Sequence, residues 1–119
     1  MKILLVDDIV INRFIIREMV KLMGHEYVEA ENGLVALKYF KETNFDFVFL
    51  DIEMPVMNGL ETVRQMRTGF PEPKNRTKIY ALTAYNPIIL DSAMDFNDFD
   101  GVVTKPYTID KIRGILNIS

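Results

Sequence analysis

The chain has no cysteine and only one histidine, His25. Without thiols there is no disulfide framework, no thiol nucleophile and no zinc–thiolate site. A single histidine makes a histidine metal cluster or a Ser–His pair a poor reading, and His25 is expected in the turn after the first helix. Long hydrophobic runs are absent as well. The N-terminus, MKILLVDD, has one Lys and then four apolar residues before the first acid. That is too short for a signal-peptide core and far too short to span a bilayer, so it reads as a buried strand. A cytoplasmic setting without membrane insertion is expected. Excess positive charge is missing too: the net charge is −3, which argues against wholesale binding of nucleic acid or anionic membrane. No G-x-x-x-x-G-K and no Gly/Ser/Thr-rich loop follows the first apolar run, so the phosphate loop of nucleotide and flavin binders is not there. No repeat, low-complexity tract or interdomain linker is visible.

What is present is an ordinary globular balance. The 119 residues are 49% hydrophobic and 26% charged, enough for one domain, 1–119, with a real core. Short apolar runs alternate with helical patterns. Strands are expected near 2–7, 26–30, 46–50, 78–82 and 101–104, and helices near 10–23, 33–42, 58–67, 87–96 and 107–117. Runs such as ILLV at 3–6, FVFL at 47–50 and IYAL at 79–82 read as strands buried on both faces, hence a parallel sheet. Five β/α repeats argue an α/β doubly wound sheet with helices on both faces. Strand 26–30, EYVEA, alternates as an edge strand should. Gly24 sits where a helix C′ residue would, Asn32 where an N-cap would, and Asn86-Pro87 opens the helix at 87–96.

In such sheets function collects at the carboxyl ends of the strands. There stand Asp7 and Asp8, Asp51, Thr83 and Lys105, each closing an apolar run. Clustered carboxylates raise one another's pKa values if left bare. A hard divalent cation resolves this, and oxygen-only ligands suit Mg²⁺ or Mn²⁺. The bland alternative is that these acids only cap the following helices. Lys105 at the end of a buried strand needs an anionic partner, and the acids supply one. Its bond to Pro106 is a candidate cis peptide. A carboxylate acceptor, a cation, an ammonium and a hydroxyl form the set that a transferred phosphoryl group wants.

The first helix carries a further signal. At about 100° per residue, Asn12, Ile16, Met19, Val20 and Met23 share one face, expected to meet the core. Arg13, Arg17 and Lys21 form a basic ridge. Ile11, Ile15 and Leu22, with Phe14 nearby, form a second apolar stripe, read either as a widened core face or as an exposed docking patch beside the acids.

The strings VDDIVINR, VFLDIEMPVMNGLE, ALTAY and GVVTKPY resemble the motifs of response-regulator receiver domains of two-component signalling, in order and spacing, from residue 2 to about 117. The resemblance implies a flavodoxin-like (βα)5 fold with strand order 2-1-3-4-5. It implies that Asp51 takes a phosphoryl group from a histidine kinase or a histidine phosphotransfer protein. It implies that Asp8, Asp51 and the main-chain carbonyl of Glu53 hold Mg²⁺, with Asp7 reaching it through water. Lys105 would pair with the phosphoryl group, and Thr83 would bond it on activation. Activation would then switch the surface of helix 87–96, the fifth strand and helix 107–117, which also offers a homodimer contact. Such a domain is a phosphoacceptor, with weak autodephosphorylation, and not a turnover enzyme. Asn12-Arg13 after the acidic pair resembles receivers of hybrid histidine kinases, which would make the chain the cytoplasmic part of a larger membrane-bound kinase. Two positions depart from the family: Val102 stands where an aromatic residue often lies, three before Lys105, and Ile9 where Asn often follows the acids.

Rival readings are weaker. A metal phosphohydrolase with an Asp nucleophile usually carries a D-x-D pair after the first strand and extra cap elements; here the acids are adjacent and no cap is present. A receiver-like binding module that works without phosphorylation would not need all five site residues.

Overall fold

The apolar runs form five parallel strands in the computed structural model, which describes residues 1–54, 57–84 and 97–117. The elements are β1 (Lys2–Val6), α1 (Val10–Leu22), β2 (Glu26–Ala30), α2 (Gly33–Glu42), β3 (Phe47–Asp51), α3 (Gly59–Thr68), a 3₁₀ turn (Lys74–Arg76), β4 (Lys78–Thr83), β5 (Gly101–Thr104) and α4 (Ile109–Asn117). The strand order is β2-β1-β3-β4-β5, every pair parallel. This is the doubly wound, flavodoxin-like arrangement that the sequence implied. The helix expected at 87–96, its Asn86-Pro87 start, and the surface it would share with β5 and α4 lie outside the described residues.

Strand alternation sends neighbouring residues into two separate cores. Leu4, Val6, Val48, Leu50, Ile79 and Ala81 pack with Ala36 and Phe40 of α2 and Val63 and Met66 of α3. Ile3, Leu5, Phe47, Phe49 and Leu82 pack with Ile16 and Val20 of α1 and Ile112 and Leu116 of α4. Each fully buried Val, Leu, Ile, Phe or Met side chain among these contributes on the order of 1.5–3 kcal/mol. β3 is buried along its whole length, so its apolar residues can offset the cost of burying the acid that ends it. β2 buries only Ala30 completely, as an edge strand with a polar outer side should.

Local chemistry sets the ends of the elements. Gly24 takes φ +83° just past α1, the left-handed geometry expected of it. Asn32 caps α2 by accepting the Val35 N–H at 2.9 Å. Asn58 caps α3 in the same way, accepting from Glu61 at 2.9 Å, so that helix starts one residue later than its pattern suggests. α4 starts at Ile109 because Tyr107 turns into the core and the Thr108 hydroxyl accepts the Lys111 N–H at 3.2 Å. At the other end of the sheet, Arg67 donates to the carbonyls of Asn75, Thr77 and Asp98 and to the Asp100 carboxylate. That guanidinium ties α3 to the segments entering β4 and β5.

Candidate functional site

β1 and β3 are adjacent, so their carboxyl ends lie side by side. At both ends the chain makes the same local turn. The Asp7 Oδ1 accepts the Ile9 N–H at 2.9 Å, and the Asp51 Oδ1 accepts the Glu53 N–H at 2.9 Å. Asp side chains favour this bond to a main-chain N–H two residues on. Each turn uses one carboxylate oxygen and leaves the other for the space between the strands. Asp8 lies in the loop after β1 and joins them: ligand oxygens of Asp7, Asp8 and Asp51 all fall within 4.8 Å of one another. The helix-cap alternative fails for Asp8, because the N-cap of α1 is Ile9 and no side chain caps that helix.

The cluster is buried and incompletely bonded. Asp7 and Asp51 are 1% and 2% exposed. The Asp7 Oδ2 and the Asp8 Oδ1 are buried with no hydrogen-bond partner among the described residues. Buried polar atoms are almost always paired, so each orphan asks for a cation, a water or a proton. Burial raises the pKa of Asp51 to about 7 from an ordinary 3.8, and the adjacent Asp7 charge adds to it, against the Glu53 amide and Lys105. Asp7 is also raised, again chiefly by burial. The two carboxyls are close enough to share a proton when nothing else neutralises them.

Thr83 ends β4 and is fully buried. The Lys105 N–H donates to the Thr83 carbonyl at 2.9 Å, and Thr104 pairs with Thr83 across β4 and β5. All five sequence-predicted residues therefore meet at one sheet edge. The Lys105–Pro106 bond is cis, as its position suggested. Lys105 differs in one respect from expectation. Its charge lowers the pKa of both Asp7 and Asp51, yet among the described residues no carboxylate lies within ion-pair distance of its Nζ. The Nζ instead lies 6.0 Å from the Tyr107 ring centroid, at the outer limit of a cation–π contact. Val102 packs against the α2–α3 core.

Residues that sequence reasoning did not assign to the site also shape it. Arg13 donates from Nη1 to the Asp7 carbonyl at 2.5 Å and from Nε to Glu29 at 3.3 Å. Arg17 holds the other oxygen of Glu29 at 3.4 Å. Gly59 lets α3 reach the end of β3: a Cβ there would lie 2.4 Å from the Asp51 carbonyl and 2.5 Å from the Ile52 Cα. The N-x-x-E string Asn58-Gly-Leu-Glu61 was the available signal for that helix start. Tyr107 buries its hydroxyl with no partner among the described residues, and burial, then the Asp7 and Asp51 charges, raise its pKa.

Outside the recess, the second stripe of α1 faces solvent. Ile11 is 60% exposed, Ile15 37% and Leu22 79%, while Ile16 and Val20 alone are fully buried. The widened-core reading is thereby excluded for the stripe. A cavity of about 510 Å³, lined by Phe45, Asp46, Lys74 and Lys78 among others, opens at the amino ends of β3 and β4, away from the acids. There Lys74 is already committed to the Phe40 and Thr43 carbonyls at the end of α2.

Comparison with known proteins agrees with this geometry. The chain is 34% identical to chemotaxis protein CheY of Listeria monocytogenes over 94% of its own length and 92% of that protein's. It is 31% identical to histidine kinase 5 of Arabidopsis thaliana over 97% of its length, but spans only 15% of that kinase. The solved response regulator TrrA of Thermotoga maritima, in complex with Mg²⁺ and BeF, superposes with a TM-score of 0.86 at 36% identity, covering 98% of this chain and 96% of that one. The receiver domain of a Pseudomonas aeruginosa sensor histidine kinase, with magnesium coordinated in its active site cleft, gives a TM-score of 0.88 at 26% identity, covering 98% and 94%. Residues 3–117 match the response regulator receiver domain profile. Three acids gathered at the carboxyl edge of a 2-1-3-4-5 sheet, along a chain that matches from end to end, therefore make this protein a member of the response regulator receiver domain family.

Proposed function

We propose that this receiver domain, residues 1–119 as one unit, accepts a phosphoryl group on Asp51 from the phosphohistidine of a histidine kinase or phosphotransfer protein. One observation carries the reading: three carboxylates within 4.8 Å, two of them holding buried oxygens without hydrogen-bond partners among the described residues. That donor set fits a hard, oxygen-seeking divalent ion, Mg²⁺ or Mn²⁺. Asp8, Asp51 and the Glu53 carbonyl would hold it directly and Asp7 through water. When bound, the ion neutralises the acids and the incoming phosphoryl oxygens.

The chain's own groups do the rest. Asp51 must be ionised to attack, and its Oδ1 already serves the Glu53 amide. Its Oδ2 forms the new bond to phosphorus as the P–N bond breaks, and that electron pair returns to the donor imidazole. Lys105 would supply positive charge and Thr83 a hydroxyl for the phosphoryl oxygens; Thr83 pairs with Thr104, the residue before Lys105, across β4 and β5. Such stabilisation acts strongly in a water-poor recess. The exposed stripe Ile11, Ile15 and Leu22 lies on the helix that follows the acids, where a donor protein can rest while its histidine reaches Asp51. The same reading sets the domain in the cytoplasm, alone or within a larger membrane-bound kinase.

Incubation with acetyl phosphate, with and without Mg²⁺, followed by intact mass measurement, tests this. One phosphoryl group should be gained with Mg²⁺ and none in EDTA, and Asp51→Asn should gain none. An equal gain at the same single site in Asp51→Asn, or no gain by the parent protein, rejects the reading.

A further inference from the structure

The start of α4 goes against the usual chemistry of a helix N-terminus. Thr108 is the N-cap: its carbonyl accepts the Ile112 N–H at 3.1 Å, and its hydroxyl accepts the Lys111 N–H at 3.2 Å. Three residues after such a threonine a helix favours Glu or Gln, whose side chain reaches back to the cap. An acid also suits the positive end of the helix dipole, and a cation does not. Asp110 obeys this preference, but the third position holds Lys111. A side chain set against its own helix calls for a gain elsewhere.

That gain lies at the end of β5. The Lys111 Nζ donates to the Pro106 carbonyl at 3.1 Å and to the Thr104 carbonyl at 3.3 Å. These two residues stand on either side of Lys105. Two of the three donors of the ammonium are thus engaged by the main chain of one turn. From the other side the Lys105 N–H donates to the Thr83 carbonyl at 2.9 Å, which ties the turn to β4. β5 has a strand neighbour on one side only, and Lys111 holds its end from the helix. Arg113, two residues further along α4, pairs instead with Asp110 at 3.6 Å.

We propose that Lys111 is a positioning residue for Lys105, its ammonium clamping the two carbonyls that flank it. Resting on the functional reading above, the clamp has a specific task. It fixes the main chain from which the long Lys105 stem departs, and so narrows the range over which that ammonium must search for a phosphoryl oxygen. The proposed cation ligands stand after β1 and β3, on other segments of the chain. Lys111 therefore serves the phosphoryl group and leaves cation binding alone.

The test is Lys111→Gln, which removes the ammonium and installs a residue the helix start favours. Hydrogen exchange of the Lys105 amide is followed by NMR, acetyl phosphate labelling is timed at saturating Mg²⁺, and urea unfolding is measured in EDTA. Losing these bonds at an exposed chain turn should speed Lys105 exchange about fivefold and slow labelling to a similar degree. The urea midpoint and the Mg²⁺ Kd should hold. Arg113→Gln, which removes the same charge from the same helix, should leave exchange and labelling at parental values. In a Lys105→Met background, Lys111→Gln should slow labelling no further. Unchanged Lys105 exchange overturns the clamp, and faster exchange with parental labelling overturns the positioning role. So does a labelling loss that Arg113→Gln matches, that persists in the Lys105→Met background, or that comes with a lower urea midpoint. Should the parent protein take no phosphoryl group at all, the functional reading fails; exchange of the Lys105 amide then decides by itself whether Lys111 holds the turn.

Discussion

The guanidinium of Arg13 lies 2.5 Å from the main-chain oxygen of Asp7, and Glu29 holds it there from the neighbouring strand. A side chain on the first turn of α1 thus fixes the backbone of the loop that carries two of the three acids. Hydrogen bonds to charged groups are worth roughly 1.5–3 kcal/mol when desolvated, and the Arg13 side chain is only 14% exposed. Arg13→Ala should lower stability by about 1–2 kcal/mol in urea and weaken Mg²⁺ binding together. Arg17→Ala, which leaves the Asp7 contact intact, should do neither to the same degree. Equal effects from both variants would show that the arginines serve only the Glu29 ion pairs.

A second expectation concerns pH. Burial raises the folded pKa of Asp51 from 3.8 to about 7, so the protonated form is the one the metal-free fold prefers. Stability from this group is fully present below pH 3.8 and is lost as pH rises through about 7. Each tenfold change in proton affinity is worth about 1.4 kcal/mol, which puts the loss on the order of 2–4 kcal/mol. Melting in EDTA should therefore fall between pH 5.5 and 8.5, and Asp51→Asn should flatten the trend. Mg²⁺ binds the carboxylate form, so its affinity should climb across the same range. A metal-free Tm that rises from pH 5.5 to 8.5 contradicts this account.

Gly59 offers a third. Adding a methyl group there drives it into the Asp51 carbonyl at 2.4 Å, so α3 must retreat from β3. Overpacking of this kind typically costs 1–3 kcal/mol. Gly59→Ala should lose about 2 kcal/mol and slow acetyl phosphate labelling. Gly114→Ala is the control: nothing lies within 4 Å of a Cβ there, on the exposed face of α4, and it should gain about 0.5–1 kcal/mol. Denaturant unfolding of the pair decides the matter, and a Gly59→Ala protein as stable as the parent refutes the close-approach argument.

The α1 stripe yields the last. Ile15→Asp changes a residue that is 37% exposed, so the fold should tolerate it. Transfer from a cognate phosphohistidine protein should slow about 10-fold or more, while labelling by acetyl phosphate stays within twofold. Parallel loss of both rates would move Ile15 from docking to folding.

Much of this was legible in the residues. The apolar runs marked β1, β3 and β4 because strands buried on both faces have no polar face to show. Their ends were visible where the runs stop, at Asp7, Asp51 and Thr83. Less could be read where geometry depends on distant packing. Lys105 carried an obvious charge, but a flexible stem does not reveal that its Nζ settles 6.0 Å from the Tyr107 ring rather than on an acid. The stripe Ile11, Ile15 and Leu22 left two readings open, since periodicity reports that a face is apolar and not whether anything covers it. Arg13 reads as part of a basic ridge; only the fold brings it to the Asp7 carbonyl. Tyr107 closes the string GVVTKPY, and only the fold shows that it is buried in the α1–α4 core.

The order β2-β1-β3-β4-β5 divides this centre into a fixed half and an adjustable half. Asp7, Asp8 and Asp51 come from β1 and β3, two of the three strands with neighbours on both sides. Lys105 and Tyr107 follow β5, which pairs on one side only, with β4. Local opening begins where contacts are fewest, so a fluctuation at the sheet margin withdraws the Lys105 ammonium while the acids stay together.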